Sequence, residues 1–122
     1  MSPKEAYEYA KKYGPSNETR EIACKHTEFA YLYALEVDKC SRNDTRKASC
    51  KDSFFAYNYT KKIEGPHEDT RKAACKESET AYLYAEDVDK GFHEDTWEAV
   101  KNTKFEEKYK NNFIRIEKDK II

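Results

Sequence analysis

Apolar and polar positions alternate with a helical rhythm along most of the chain, and the rhythm itself recurs. In the stretch 74–90, ACKESETAYLYAEDVDK, the positions Ala81, Tyr84, Ala85 and Val88 fall at i, i+3, i+4 and i+7. That spacing places them on one stripe of a helix at about 100° per residue. The stretch 23–39, ACKHTEFAYLYALEVDK, repeats the stripe with Ala30, Tyr33, Ala34 and Val37, and 49–64 repeats it with Ala56, Tyr59, Thr60 and Ile63. Near the N-terminus AYEYA starts the same series with Ala6, Tyr9, Ala10 and Tyr13. Each stripe reads as a buried face, with the second Tyr of each Tyr-x-Tyr pair in the core and its hydroxyl in need of a polar partner.

Landmarks outside the stripe keep the same period. Thr19, Thr45, Thr70 and Thr96 follow one another at nearly equal intervals, the middle one a single position shorter than the other two. Cys24, Cys50 and Cys75 are in step with them, with Val100 one place off register in a fourth copy. The chain therefore divides into an N-terminal half unit (2–14), three full units (17–40, 43–65, 68–91) and a divergent C-terminal cap (94–122), all within one domain, 1–122. Atypical ends suit stacked units, whose outermost faces meet water. Ser2-Pro3 sets the internal division of a unit. Ser is a good N-cap and Pro belongs at the first helical position. Thr27, Ser53 and Ser78 align with Pro3, so a helix starts there in each copy. This predicts a short helix A at 20–25, 46–51 and 71–76, and a longer helix B at 28–39, 54–64 and 79–90. The turns carry Gly14-Pro15, Gly65-Pro66 and Gly91. The expected fold is all-α, an α-solenoid of short helical hairpins, with an up-and-down bundle of uninterrupted helices as the alternative.

Composition sharpens this picture. Ile, Leu, Val and Phe are scarce, which raises the question of disorder, but the chain carries 10 Tyr, and 23 basic residues nearly balance 24 acidic ones. The apolar area of Tyr and Ala can build a thin, close-packed core. A charge balance so near zero gives no bulk attraction to nucleic acid or membranes. No apolar run approaches the roughly 18 residues that cross a bilayer, and MSPKEAYEYAKK has no apolar signal core, so the cytoplasm is the expected location. In that compartment the four Cys are expected as free thiols.

The recurring side chains are weighed in the same way. The first Tyr of each pair (Tyr7, Tyr31, Tyr57, Tyr82) lies well around the helix from the second. It packs between units or forms a Tyr-lined contact face, since Tyr brings large area with few rotatable bonds. Arg20, Arg46 and Arg71 each follow an acidic residue by two places. They read as a row of local ion pairs, or as a row that binds anions. These seven residues are the candidate partner-binding positions. One Cys per unit is a small buried packing residue, because disulfide and zinc geometry need groups to converge, and Cys40 is an exposed loop thiol. His67 and His93, in two copies of His-Glu-Asp-Thr, read as helix-start residues; the second His of a metalloprotease motif is missing. With 3 Gly in the chain, phosphate-cradling loops have nothing to be made of. No catalytic set, metal site or cofactor is expected.

SPKEAYEYAKKYG and TAYLYAEDVDKGFHEDT resemble the short two-helix repeats of the Ala-Tyr-x-Tyr-Ala-x-x-Val type in bacteriophage and bacterial proteins. The turn departs from that family's usual Gly-Arg-Trp-Pro-Glu, reading Gly91-Phe92-His93-Glu94 and Gly65-Pro66-His67-Glu68. The resemblance covers about residues 2–100. It implies an α-solenoid, a phage origin and a host cytoplasm, and it brings no functional residues. The expectation is a non-enzymatic scaffold that binds another protein, as a host-directed adaptor or inhibitor. A self-associating structural protein is the alternative, and a nucleic-acid or nucleotide binder along the Arg row is a further one.

Overall fold

The computed structural model describes residues 1–114, and all regular structure among them is helical. The portion of the expected C-terminal cap beyond residue 114 lies outside the described residues. α1 (Pro3–Tyr13) opens with a capping box. Ser2 accepts from the Glu5 N–H while the Glu5 carboxylate reaches back to the Ser2 N–H, and Pro3 sits at the first helical position.

Two helices per unit then follow, as the Ser-Pro register predicts. The short ones are α2 (Asn17–Ala23), α4 (Asn43–Ser49), α6 (Glu68–Ala74) and α8 (Glu94–Val100). The B helices are α3 (Thr27–Leu32), α5 (Ser53–Tyr59), α7 (Ser78–Tyr84) and, in the cap, α9 (Glu106–Tyr109). Thr27, Ser53 and Ser78 are first helical residues, and the N-caps are His26, Asp52 and Glu77. Of these three, only Asp52 makes a side-chain cap, accepting from the Phe55 N–H at 3.0 Å.

The short helices begin three positions earlier than their Arg. The acidic or amide residue and the Thr, expected in the connection, form the first turn. The N-caps are Ser16, Arg42, His67 and His93. Acidic side chains there meet the positive end of the helix.

Every B helix except α1 ends in a π-helical segment: Tyr33–Asp38, Thr60–Glu64, Ala85–Asp89 and Lys110–Ile114. In an α-helix, residues five apart lie on different faces. A π turn, with its i→i+5 bonding, brings them over one another. Here it aligns each second Tyr with the residue five places on, an acid in the three full units and Ile114 in the cap, so that both face the preceding short helix. Lys39 and Lys90 then take left-handed backbone (φ 55° each). In the middle unit Gly65 takes that turn at φ 89°. Its linker is one position shorter, which is why the middle Thr interval is the short one.

Each B helix packs on the short helix that follows it: α1 on α2, α3 on α4, α5 on α6 and α7 on α8. Like helices also pack on like, α1 with α3, α3 with α5 and α5 with α7, and α4 with α6 and α6 with α8. The predicted stripe is the core. Ala30, Tyr33, Ala34, Ala56, Tyr59, Thr60, Ala81, Tyr84, Ala85 and Val88 are buried. Val37 and Ile63 are half-buried. The N-terminal copy departs from the pattern. Ala6 and Ala10 are buried, but Tyr9 and Tyr13 are 47% and 65% exposed, because no short helix among the described residues covers α1 from the outside. Val100, out of step with the Cys series, fills the buried slot of Ala23, Ser49 and Ala74.

Candidate functional site

The second Tyr of each unit anchors its hairpin. The Tyr33 hydroxyl lies 2.7 Å from Thr19 Oγ1, accepts from the Ser16 N–H at 3.0 Å and donates to the Ser16 carbonyl at 3.1 Å. Tyr59 makes the same set with Thr45 and the Arg42 backbone, and Tyr84 with Thr70 and the His67 backbone. In the cap, Tyr109 does so with Thr96 and the His93 backbone. A fully buried phenol thus fixes the N-cap residue of the short helix with both backbone groups, and the periodic Thr completes its hydrogen bonding. The Thr-to-Tyr separation, 14 positions in the three full units and 13 in the cap, was visible in the sequence; the bond that joins the two was not.

The candidate Arg residues are spent on the same hairpins. Arg20 is 4% exposed and grips Asp38 through two bonds of 2.8 Å each. Arg71 grips Asp89 likewise at 2.9 and 2.7 Å, and Arg46 reaches Glu64 at 3.0 Å. The partner stands at the end of the π segment, and not in the adjacent first turn as expected. Each guanidinium also bonds or stacks further. Arg20 and Arg46 take Asn17 and Asn43, and Arg20 and Arg71 lie over the Tyr33 and Tyr84 rings at 5.5 Å. Hydrogen bonding to the carboxylates holds Arg20 and Arg71 above the ordinary guanidinium pKa. The Arg row is therefore a set of internal clamps, and it offers no free cationic face. In the cap Trp97 replaces the Arg and Ile114 stands where the acid stood; the two share an apolar cluster with Tyr109 and Val100.

The first-Tyr ladder resolves in favour of packing. Tyr7, Tyr31, Tyr57 and Tyr82 are between 2% and 8% exposed. Three of the rings meet the third residue of the next B helix or its counterpart in the cap: Tyr7 on Phe29 at 5.9 Å, Tyr31 on Phe55 at 5.6 Å and Tyr82 on Phe105 at 5.8 Å. Hydroxyls of the ladder also find polar partners. Tyr7 donates to Glu36 and Tyr57 to Asp87, while Asn112 donates to Tyr82, which donates to Glu86. Burial followed by the Glu86 bond pushes the Tyr82 phenol up to about 12. Tyr31 has no such partner among the described residues, because Lys62 occupies the position of Glu36 and Asp87.

Cys24, Cys50 and Cys75 end the short helices as half-buried C-caps, less enclosed than the sequence suggested. Burial pushes their thiols up to about 12, 11 and 12, so at neutral pH they are protonated and poor nucleophiles. Cys40 is exposed. His67 and His93 do start helices, and the imidazole is the cap: Nδ1 accepts from the Asp69 and Asp95 N–H groups at 3.0 and 3.1 Å. Among the described residues no cluster of His, Cys, Asp or Glu could hold a metal ion, and no helix is long and apolar enough to cross a membrane.

What sequence reasoning missed lies at the N-terminal end. Met1, Tyr9 and Tyr13 are exposed there, and the two Tyr rings pack on each other with centroids 4.6 Å apart. Beside them a groove of about 440 Å³ runs between α1 and α2, lined by Met1, Tyr9, Ser16, Glu18, Thr19 and Ile22. The signal was available. Residues 2–14 carry the second half of a unit without the first, and no short helix among the described residues covers the α1 stripe as the others are covered. Comparison with protein-family models, with curated proteins and with solved structures finds no match to this chain.

Proposed function

We propose that the protein is a non-enzymatic α-solenoid scaffold that binds another protein through its N-terminal end, the outer face of α1 with the adjoining edge of α2. The observation that carries this reading is the exposure of Tyr9 and Tyr13. The remaining Tyr side chains are all buried, and every hydroxyl among them except that of Tyr31 engages side chains or backbone of the same protein. At this end the recurring apolar stripe reaches solvent, next to a groove. Exposed aromatic side chains beside a concavity are the composition of interface hot spots. The seven positions first considered, Tyr7, Tyr31, Tyr57, Tyr82, Arg20, Arg46 and Arg71, serve the scaffold that presents this end. Resemblance of the units to bacteriophage repeats makes a host protein the first partner to seek, in the role of adaptor or inhibitor.

Affinity capture from a host lysate tests the reading. A Tyr9→Glu, Tyr13→Glu double variant should keep its helical circular dichroism and melting temperature, since both side chains are exposed, and should lose the captured partner. Retention of every partner by the folded double variant would remove this end from consideration.

A further inference from the structure

The open groove has a shape that the rest of the molecule specifies. We propose that it is the seat of one short helix from a binding partner, about two turns long, with Thr at the third helical position and an apolar side chain immediately after it. The proposal rests on the protein-binding reading above and names the chemistry of the partner.

Four times in the described residues a second Tyr is closed by a short helix that brings a Thr hydroxyl and the backbone of its N-cap: Thr19 to Tyr33, Thr45 to Tyr59, Thr70 to Tyr84 and Thr96 to Tyr109. Tyr9 occupies the same register, with Ala6 and Ala10 buried beside it as their counterparts are, yet no described residue hydrogen-bonds its hydroxyl. The position of the groove agrees. A short helix packs against the B helix of its own unit and against the next short helix, as α4 packs on α5 and α6, and α6 on α7 and α8. The elements in those two places at the N-terminal end are α1 and α2, and they are the two that line the groove. Ile22, on the wall of the groove, is half-exposed where its counterparts Ala48 and Ala73 are buried at 5% and 4%.

Two further features narrow the occupant. Among its described residues a folded second copy has no such helix to give, because the four short helices there already have their Thr bonded to a Tyr. The residue after the Thr is also constrained. It is Arg only where an acid stands at the end of the π segment, as in Arg20–Asp38, Arg46–Glu64 and Arg71–Asp89. Where Ile114 stands there, the residue is Trp97. α1 ends without a π segment, and the residue that follows Tyr9 on its face is Tyr13, whose ring packs on Tyr9 and offers no carboxylate. An apolar side chain beside Tyr9 is the complement that remains.

Residues 92–101 of this chain, FHEDTWEAVK, supply a probe with these properties when made as a blocked peptide and added to the intact protein. Free helices of this length are marginal, so binding will be weak, with Kd on the order of 1 mM, and amide chemical shifts are the suitable readout. The expected result is a saturable change confined to residues near 1, 9 and 16–22. Replacing the peptide's Thr96→Val should weaken binding about fivefold, the loss of one hydrogen bond. Tyr9→Phe in the protein should weaken it similarly, with no further loss when the two changes are combined. Trp97→Arg in the peptide should also weaken it. The proposal is overturned if no shifts appear, if they fall elsewhere, or if Tyr9→Phe and Thr96→Val leave affinity unchanged. Capture of a partner that depends on Tyr9 and Tyr13, together with failure of this peptide, would overturn the helical seat while leaving protein binding at this end in place.

Discussion

One buried hydroxyl is out of place. Ser49 Oγ has no hydrogen-bond partner, while Ala23 and Ala74 fill the same slot in the neighbouring units and are fully buried. An unsatisfied buried hydroxyl carries a desolvation cost with no compensating bond. Ser49→Ala should therefore stabilise the protein by about 1 kcal/mol, raising the melting temperature by about 4 °C, and a calorimetric scan reads this directly. The three half-buried thiols give a second prediction of the same grain. In the unfolded chain they ionise near their ordinary value of about 8.5, and in the folded protein burial holds them to about 11 or 12. Between those limits the folded state binds more protons, so the stability they contribute is fully present below the unfolded value and is lost as pH rises through the folded one. The urea midpoint should drop as pH rises from neutral into that window. A variant with Cys24, Cys50 and Cys75 all changed to Ala should show a flatter dependence. Residue identities alone placed the core Tyr and Ala of the full units, because burial follows the i, i+3, i+4 stripe. They misjudged Tyr9 and Tyr13, because a stripe states which face is apolar and says nothing about whether a neighbour exists to cover it.

At the level of the elements, an ion pair ties each of α2, α4 and α6 to the far end of the B helix after it. Arg71 and Asp89 are both largely buried. Removing one partner strands the other, so Asp89→Asn should cost about 2 kcal/mol, somewhat below the range for fully buried pairs. Arg71→Trp with Asp89→Ile copies the cap's Trp97 and Ile114. That double variant should lose less than the two single changes together, which a double-mutant cycle by urea denaturation would show. This pairing explains why sequence reasoning starts the short helices late. In sequence the Arg looks like the start of the short helix, with its acid next door. In space it sits at the fourth helical position, and its acid arrives from the far end of the B helix. The π segments were not legible at all. Helix periodicity is blind to one extra residue in the last turn, and the requirement for it emerges only when a Tyr and an acid five apart must face the same neighbour.

For the molecule as a whole, the contacts between successive B helices are unequal. Tyr7, Tyr57 and Tyr82 each find a polar partner in the following unit, and for Tyr31 the sequence position that Glu36, Asp87 and Asn112 hold for its neighbours is taken by Lys62. Lys62→Glu should supply the missing acceptor and stabilise by about 0.5–1 kcal/mol. Hydrogen exchange should show the protection of α3 and α5 rising together. The two-helix plan and the core stripe of the full units could be reasoned from the sequence, while for the first Tyr packing and a contact face both stayed open. The exposed surface at α1 had one signal in the sequence, the half unit at 2–14, and the apolar stripe alone did not reveal it.

The reach of the bonds has its own consequence for how the protein is made. The Tyr anchors, the Arg clamps and the ladder hydroxyls all join positions within a unit or in the unit next to it. Short closures carry small entropic costs, and local contacts favour rapid folding. During synthesis, each hairpin has its Tyr anchor as soon as its own B helix has left the ribosome, and its ladder partner one unit later, so the chain can set unit by unit towards the cap. The end that presents Tyr9 and Tyr13 is thus complete while the cap is still being translated.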